Sequence, residues 1–144
     1  MKWVTRSHVH VDRVACPWLI LRFVDNQAEF LFVPAIKIEE VAGDTGAIPF
    51  DAPDVELGHH AGRCSFESFI LKYELKDKAL LRMAEIIHAA DIAADIDKDP
   101  IARGLEAIAV GYGLRYPDDK ENLSHQFEVY DALYAWCRLQ KIND

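Results

Sequence analysis

Cysteine is scarce in this chain of 144 residues: Cys16, Cys64 and Cys137 are odd in number, far apart, and form no CxxC pair. That excludes a disulfide framework and a paired-cysteine zinc finger, and reduced thiols are expected. No apolar run approaches the ~20 residues of a membrane helix. Met1 to Asp25 carries Lys2, Arg6, Asp12, Arg13 and Arg22 in place of an uninterrupted signal-peptide core. No membrane association is therefore expected, and the expected location is cytoplasmic. GxSxG, a P-loop, GxGxxG after a strand and HExxH are all missing, so no single motif assigns a reaction. Positive charge is also short, with 16 basic against 24 acidic residues and a net charge of −8. So acidic a chain repels nucleic acid, and autonomous nucleic-acid binding is not expected. Residues 1–22 are the exception, with Lys2, Arg6, Arg13 and Arg22 against Asp12 alone. That island suits a small anion, although ordinary surface ion pairs are the plainer reading.

What is present is enough for a core: 51% of residues are hydrophobic and 28% charged, with no disorder signature. The length fits one compact domain over residues 1–144. Lys2 to Val11 reads as a strand, with Val9 and Val11 alternating with His8, His10 and Asp12. A helix is expected to begin near Arg13 to Cys16, with Pro17 in its first turn, and to run to Asp25. Glu29 to Val33 is nearly all apolar, as in a strand covered on both faces, which completes a parallel βαβ unit. A short helix over Ile36 to Ala42 and a short strand over Ala47 to Phe50 follow, with Gly43, Gly46, Pro49 and Pro53 marking turns. From residue 64 the period becomes helical: Phe66, Phe69, Ile70 and Tyr73 form one stripe, and Leu80, Met83, Ala84 and Ile87 another, capped by Asp77 and ending near Ala94. Asp99 and Pro100 signal the next start, Gly111 and Gly113 its stop, and a last helix carries Leu123, Phe127, Tyr130, Tyr134 and Cys137 to about Gln140. The expected class is α+β and helix-rich: a small N-terminal βαβ sheet unit packed against a C-terminal helical bundle.

The chemistry gathers in Glu56 to Glu67. His59 and His60 lie between glycines whose backbone permits close approach, and Cys64 stands at a helix start, which favours anions and lowers a thiol pKa. Glu67 adds a carboxylate one turn on. His88 and Asp91, three apart on one helix, are surface neighbours that a bundle can turn inward. Together His59, His60, Glu67, His88 and Asp91 read as the ligands of a divalent ion such as zinc, iron or manganese, with one of the adjacent histidines outside the coordination sphere and an open position for water or substrate. The plainer readings are loop and capping residues and a histidine bonded to a neighbouring carboxylate. His10, Asp12 and Arg13 fall at the carboxyl end of the first strand, where ligands of parallel sheets gather. With Arg63 and Cys64 they read as receivers of a small-molecule anion, against which stands a simple Arg13 ion pair fastening the helix. Cys16 before Pro17 reads as an activated thiol at the helix start or, as is more frequent for a free cysteine, a small buried hydrophobe; Cys137 reads as core, and His125 as exposed.

Five ordered blocks carry a resemblance: Trp3 to Arg6; His10 to Arg13 with Ala15 to Ile20; Ala28 to Pro34; Glu56 to His60 with Cys64 to Glu67; and Tyr130 to Trp136. Together they resemble the chromate-resistance ChrB-type domain over almost the whole chain. The resemblance implies a role in chromate resistance, in which longer members act as chromate-responsive regulators with an additional N-terminal region. This chain starts where the shared C-terminal domain starts, so direct transcriptional control is not expected of it. The family is also labelled as exported, against which the N-terminal sequence speaks. Two functions remain: a metal-dependent or redox protein, which carries stoichiometric metal, and a non-catalytic module that receives chromate or sulfate. The mixture of imidazole, thiol and carboxylate donors favours the first, since an anion site needs only donors of hydrogen bonds.

Overall fold

A computed structural model describes residues 1–142, with side chains through Gln140. The chain runs β1 (Lys2–Arg6), α1 (Val11–Leu19), a π-helical turn (Ile20–Val24), β2 (Glu29–Val33), a 3-10 turn (Ala35–Lys37), α2 (Ile38–Thr45) and β3 (Ile48–Pro49). It continues through α3 (Ser65–Lys72), α4 (Lys78–Asp91), a 3-10 helix (Ala93–Lys98), α5 (Ala102–Arg115) and α6 (Asp119–Ile142). The class is α+β and helix-rich.

The sheet is parallel in the order β2-β1-β3, with Trp3 opposite both Phe30 and Ile48. Because strand side chains alternate, Trp3 enters the large core while Val4 joins Ile38 and Ala47 in a small one with α2. Both faces of β1 are thus covered, and Trp3, Val4 and Thr5 are fully buried. The Thr5 hydroxyl is satisfied by donating to the Phe50 carbonyl at 2.7 Å.

β1 stops at Arg6, short of the expected Val11. His8 takes a left-handed φ of 66°, and the N–H groups of His8 and Val9 donate to the Asp119 carboxylate at 3.0 and 2.8 Å. A side chain from the start of α6 therefore replaces a strand ladder there. His8, His10 and Asp12 consequently share no strand face: His10 is the N-cap of α1 and Asp12 lies in its first turn. With α1 starting at Val11, Pro17 sits inside the helix rather than in its first turn. It withdraws the N–H that would serve the carbonyl four residues back. The helix widens just beyond it, and Asp25 N–H reaches the Ile20 carbonyl at 2.7 Å, a five-residue span.

α4 packs against α1, α3, α5 and α6. Its Leu80, Met83, Ile86 and Ile87 are fully buried, each contributing about 1.5–3 kcal/mol of transfer free energy. Asp77 caps it as expected, accepting from Ala79 N–H at 2.8 Å and Leu80 N–H at 3.2 Å. Its end comes at Asp91, since Ile92 turns extended and leaves Ala94 in the 3-10 helix. Gly111 and Gly113 do not stop α5, which runs through both to Arg115. Each glycine costs about 1 kcal/mol relative to alanine. Burial of Ala102, Leu105 and Ala109 and the stacking of Tyr112 on Tyr116 and of Tyr116 on His125 hold the helix regardless.

Candidate metal centre

Asp12 is a carboxylate with no exposure at all. Burial is tolerable because the free N–H groups at the start of α3 point at it: Ser65 N–H donates to Oδ2 at 2.7 Å and Phe66 N–H to Oδ1 at 3.1 Å. Asp51 lies just beyond the carboxyl end of β3, with a left-handed φ of 47°. Its Oδ1 accepts from the Ser65 hydroxyl at 2.7 Å and its Oδ2 from Arg13 at 3.2 Å. Asp91 closes α4.

His59 meets all three. Its Nε2 lies 3.5 Å from Asp12 Oδ2, 3.4 Å from Asp51 Oδ1 and 3.2 Å from Asp91 Oδ2. Gly58 makes that placement attainable, since a Cβ there would stand 2.7 Å from the Ala52 carbonyl oxygen and 3.2 Å from that of Val55. The loop is held further by the Ser68 hydroxyl, which donates to the Gly58 carbonyl at 2.6 Å. Arg6, His10, Arg13, Asp51, His59 and Asp91 border a cavity of about 510 Å³. His10 and Asp91 also border a neighbouring cavity of about 460 Å³.

Burial and the Asp51 charge push the Asp12 carboxyl up to about 7. Burial acts on Asp51 too, but hydrogen bonds from His59 and Ser65 and the Arg13 charge outweigh it and hold that carboxyl below its ordinary value. Asp91 is raised, by burial and then by Asp51. Hydrogen bonds to Asp12 and Asp51 raise His59 to about 10. The imidazolium is the cation that three converging carboxylates demand.

A second set of donors shares no residue with the first. His88 Nδ1 lies 2.5 Å from Glu67 Oε1, and its Nε2 lies 2.6 Å from Asp95 Oδ2. Glu67 also accepts the Cys64 N–H at 3.0 Å, forming the capping box of α3. One ligand atom from each of Cys64, Glu67 and His88 can be chosen so that all lie within 4.8 Å of one another; the same is true of Asp12, His59 and Asp91.

The residues expected to share one ion are therefore divided. His59 and Asp91 fall in one set, and Glu67 and His88 in the other. His88 and Asp91 are about 60° apart around α4, so they reach different groups about the start of α3. His60 joins neither set: its ring lies 2.7 Å from the Val55 carbonyl, within its own loop. Of the expected anion receivers, Arg13 is bound to Asp51 and the His8 carbonyl, and His10 faces Glu106 at 3.6 Å. Arg63 does not line the cavity beside His59, and its Nε is buried without a partner. Cys64 is not an activated thiol: burial first, then the Asp12 charge, push it well up, overriding the helix start. Cys16 is raised in the same way, and Cys137 is core, as expected. His125 is exposed.

Asp51 and Asp95 escaped the sequence reading as site residues. The position of Asp51 after a short parallel strand was the signal that could have found it. Asp95 was hidden among Asp91, Asp97 and Asp99 as one of a run of surface charges.

The fold and these clusters define an α+β domain whose polar residues gather where α1, the end of β3, the loop before α3 and the end of α4 meet. The chain belongs to the family described as "ChrB, C-terminal domain", whose profile matches residues 3–137. It is 37% identical over 137 residues to Protein ChrB of Cupriavidus metallidurans, covering 93% of this chain and 40% of that protein. The chain thus spans about two fifths of the length of this relative. No solved structure matches it. Among the described residues no helix is long and apolar enough to cross a membrane.

Proposed function

We propose that this domain serves chromate resistance by binding one divalent metal ion at Asp12, His59 and Asp91, open to the cavity lined by Arg6, His10 and Arg13. The observation that carries the reading is the convergence of three carboxylates on His59 Nε2 within 3.5 Å. With His59 neutral, Asp12, Asp51 and Asp91 against Arg13 leave two negative charges, the complement of a divalent ion. One imidazole among carboxylates suits manganese or iron, with zinc as the third candidate. Three protein ligands beside a cavity leave coordination positions for water or a small molecule, the arrangement used in metal-dependent chemistry.

The test is titration of chelator-stripped, tag-free protein with Mn²⁺, Fe²⁺ and Zn²⁺ by calorimetry. One equivalent of Mn²⁺ or Fe²⁺ is expected in the wild type and none in His59→Ala or Asp91→Asn. Wild-type protein that binds none of the three ions, or variants that bind as well as the wild type, would overturn the reading. The competing reading, a module that receives chromate or sulfate, draws on Arg6 and Arg13 in the same cavity. Three carboxylates at that wall oppose it, and it predicts metal-free protein stabilised against heat by sulfate.

A further inference from the structure

We infer that Cys64, Glu67 and His88 form a second, thiolate-containing metal site at the start of α3, sharing no residue with the carboxylate site around His59 and chemically distinct from it. The inference stands independently of the function proposed above.

The donors come from two elements. Cys64 is the N-cap of α3, Glu67 lies in its first turn, and His88 projects from the last turn of α4. The capping box fixes the first two relative to each other. Asp95 fixes the third: by accepting from His88 Nε2 at 2.6 Å, it leaves Nδ1 turned toward Glu67, 2.5 Å away. A carboxylate behind the non-ligating nitrogen of a histidine is the usual way in which a metal-binding imidazole is oriented and made more basic. Lys98 pairs with Asp95 at 3.0 Å, so the supporting carboxylate brings no uncompensated charge.

The charge count agrees. An ion entering here displaces the thiol proton and the Nδ1 proton of His88. Thiolate and Glu67 carboxylate then balance two positive charges around a neutral imidazole. Cys64 is fully buried, and Glu67 and His88 are 27% and 18% exposed, so the ion would be reached from one side only. One sulfur, one nitrogen and one oxygen match a borderline ion such as zinc, with cobalt as its spectroscopic substitute, rather than the harder ions suited to the His59 set.

Cobalt(II) gives the test, because sulfur ligation alone produces a near-ultraviolet thiolate-to-cobalt charge-transfer band. Stripped wild-type protein titrated with Co²⁺ is expected to show that band, saturating at one equivalent of sulfur-ligated ion. Cys64→Ser should abolish it, and Cys16→Ser should leave it, which matters because the Cys16 thiol lies near Asp12. Asp95→Asn, a substitution at a surface helix, should weaken Co²⁺ binding about 10–100-fold while the band keeps its shape. Asp91→Asn should remove Mn²⁺ binding and leave the band, so failure of one site is read separately from failure of the other. No band in the wild type, or a band that survives Cys64→Ser in folded protein, would overturn the inference.

Discussion

The backbone N–H of Ser65 donates to Asp12 Oδ2 at 2.7 Å across 53 positions of sequence, so the carboxylate of one helix caps the start of another. Phe66 N–H takes the other oxygen, and the Cys16 thiol approaches it at 3.5 Å. Asp12 is thus a structural cap before it is a ligand, and its removal leaves two buried donors unpaired. Asp12→Ala should lower unfolding stability by about 2 kcal/mol, less whatever relief comes from removing a charge beside Asp51. Urea denaturation measures this, and a midpoint equal to the wild type's would contradict the capping role.

The thermal stability of metal-free protein should fall as pH rises. His59 goes from 6.5 in the unfolded chain to about 10 in the fold, so the folded state holds its proton more tightly. That contribution is complete below 6.5 and is lost as pH passes through 10. Asp12, raised from 3.8 to about 7, acts in the same sense across its own lower window. Melting temperatures of the wild type and His59→Gln between pH 6.5 and 10 test the claim, the variant showing the shallower decline.

Metal binding at Asp12, His59 and Asp91 should tighten with pH over that same upper range. The imidazole proton must leave before nitrogen can ligate, so at least one proton is released per ion bound, and the Asp12 carboxyl, raised to about 7, adds to the count near neutral pH. Calorimetry in buffers of different ionisation enthalpy counts the protons, and a count of zero at pH 7.5 would exclude His59 as a ligand.

Gly58→Ala should displace the His59 loop. The new Cβ would meet two backbone carbonyl oxygens, neither of them the yielding end of a side chain. A loss of about 1–3 kcal/mol is expected, as for overpacking, together with weaker Mn²⁺ binding. Gly43→Ala, where nothing lies within 4 Å, is the control and should bind Mn²⁺ like the wild type.

Asp131 ties α1 and the π-helical turn after it to α6, accepting from Trp18 Nε1 at 2.7 Å and from Arg22 at 3.1 and 3.0 Å. The hydrogen bond from Arg22 holds its carboxyl below the usual value, with the one from Trp18 assisting. Asp131→Ala should cost about 1 kcal/mol, reduced by salt because the ion pair is exposed. Urea midpoints at low and high ionic strength give the size and its screening, and no change at low salt would remove the tie.

Local pattern was enough for the elements whose signals are local. Alternation and apolar runs identified β1 and β2, the 3.6-residue stripe identified α3 and α4, and Asp77 was legible as a cap because the N–H groups it accepts from lie two and three residues away. The early end of β1 was not legible, because the competing acceptor is Asp119, more than a hundred positions distant. The glycines of α5 misled for a related reason: intrinsic propensity is worth about 1 kcal/mol, and packing overrides it. Composition and spacing also named His59, Glu67, His88 and Asp91 as donors. Their division into two sets, the capture of Asp12 by α3 and the arrival of Asp51 and Asp95 were decided only by tertiary structure. Donor chemistry belongs to the residue and can be read one position at a time, whereas a site is a set of distances. Those distances are set by where α1, the end of β3 and α4 pack around the first turn of α3.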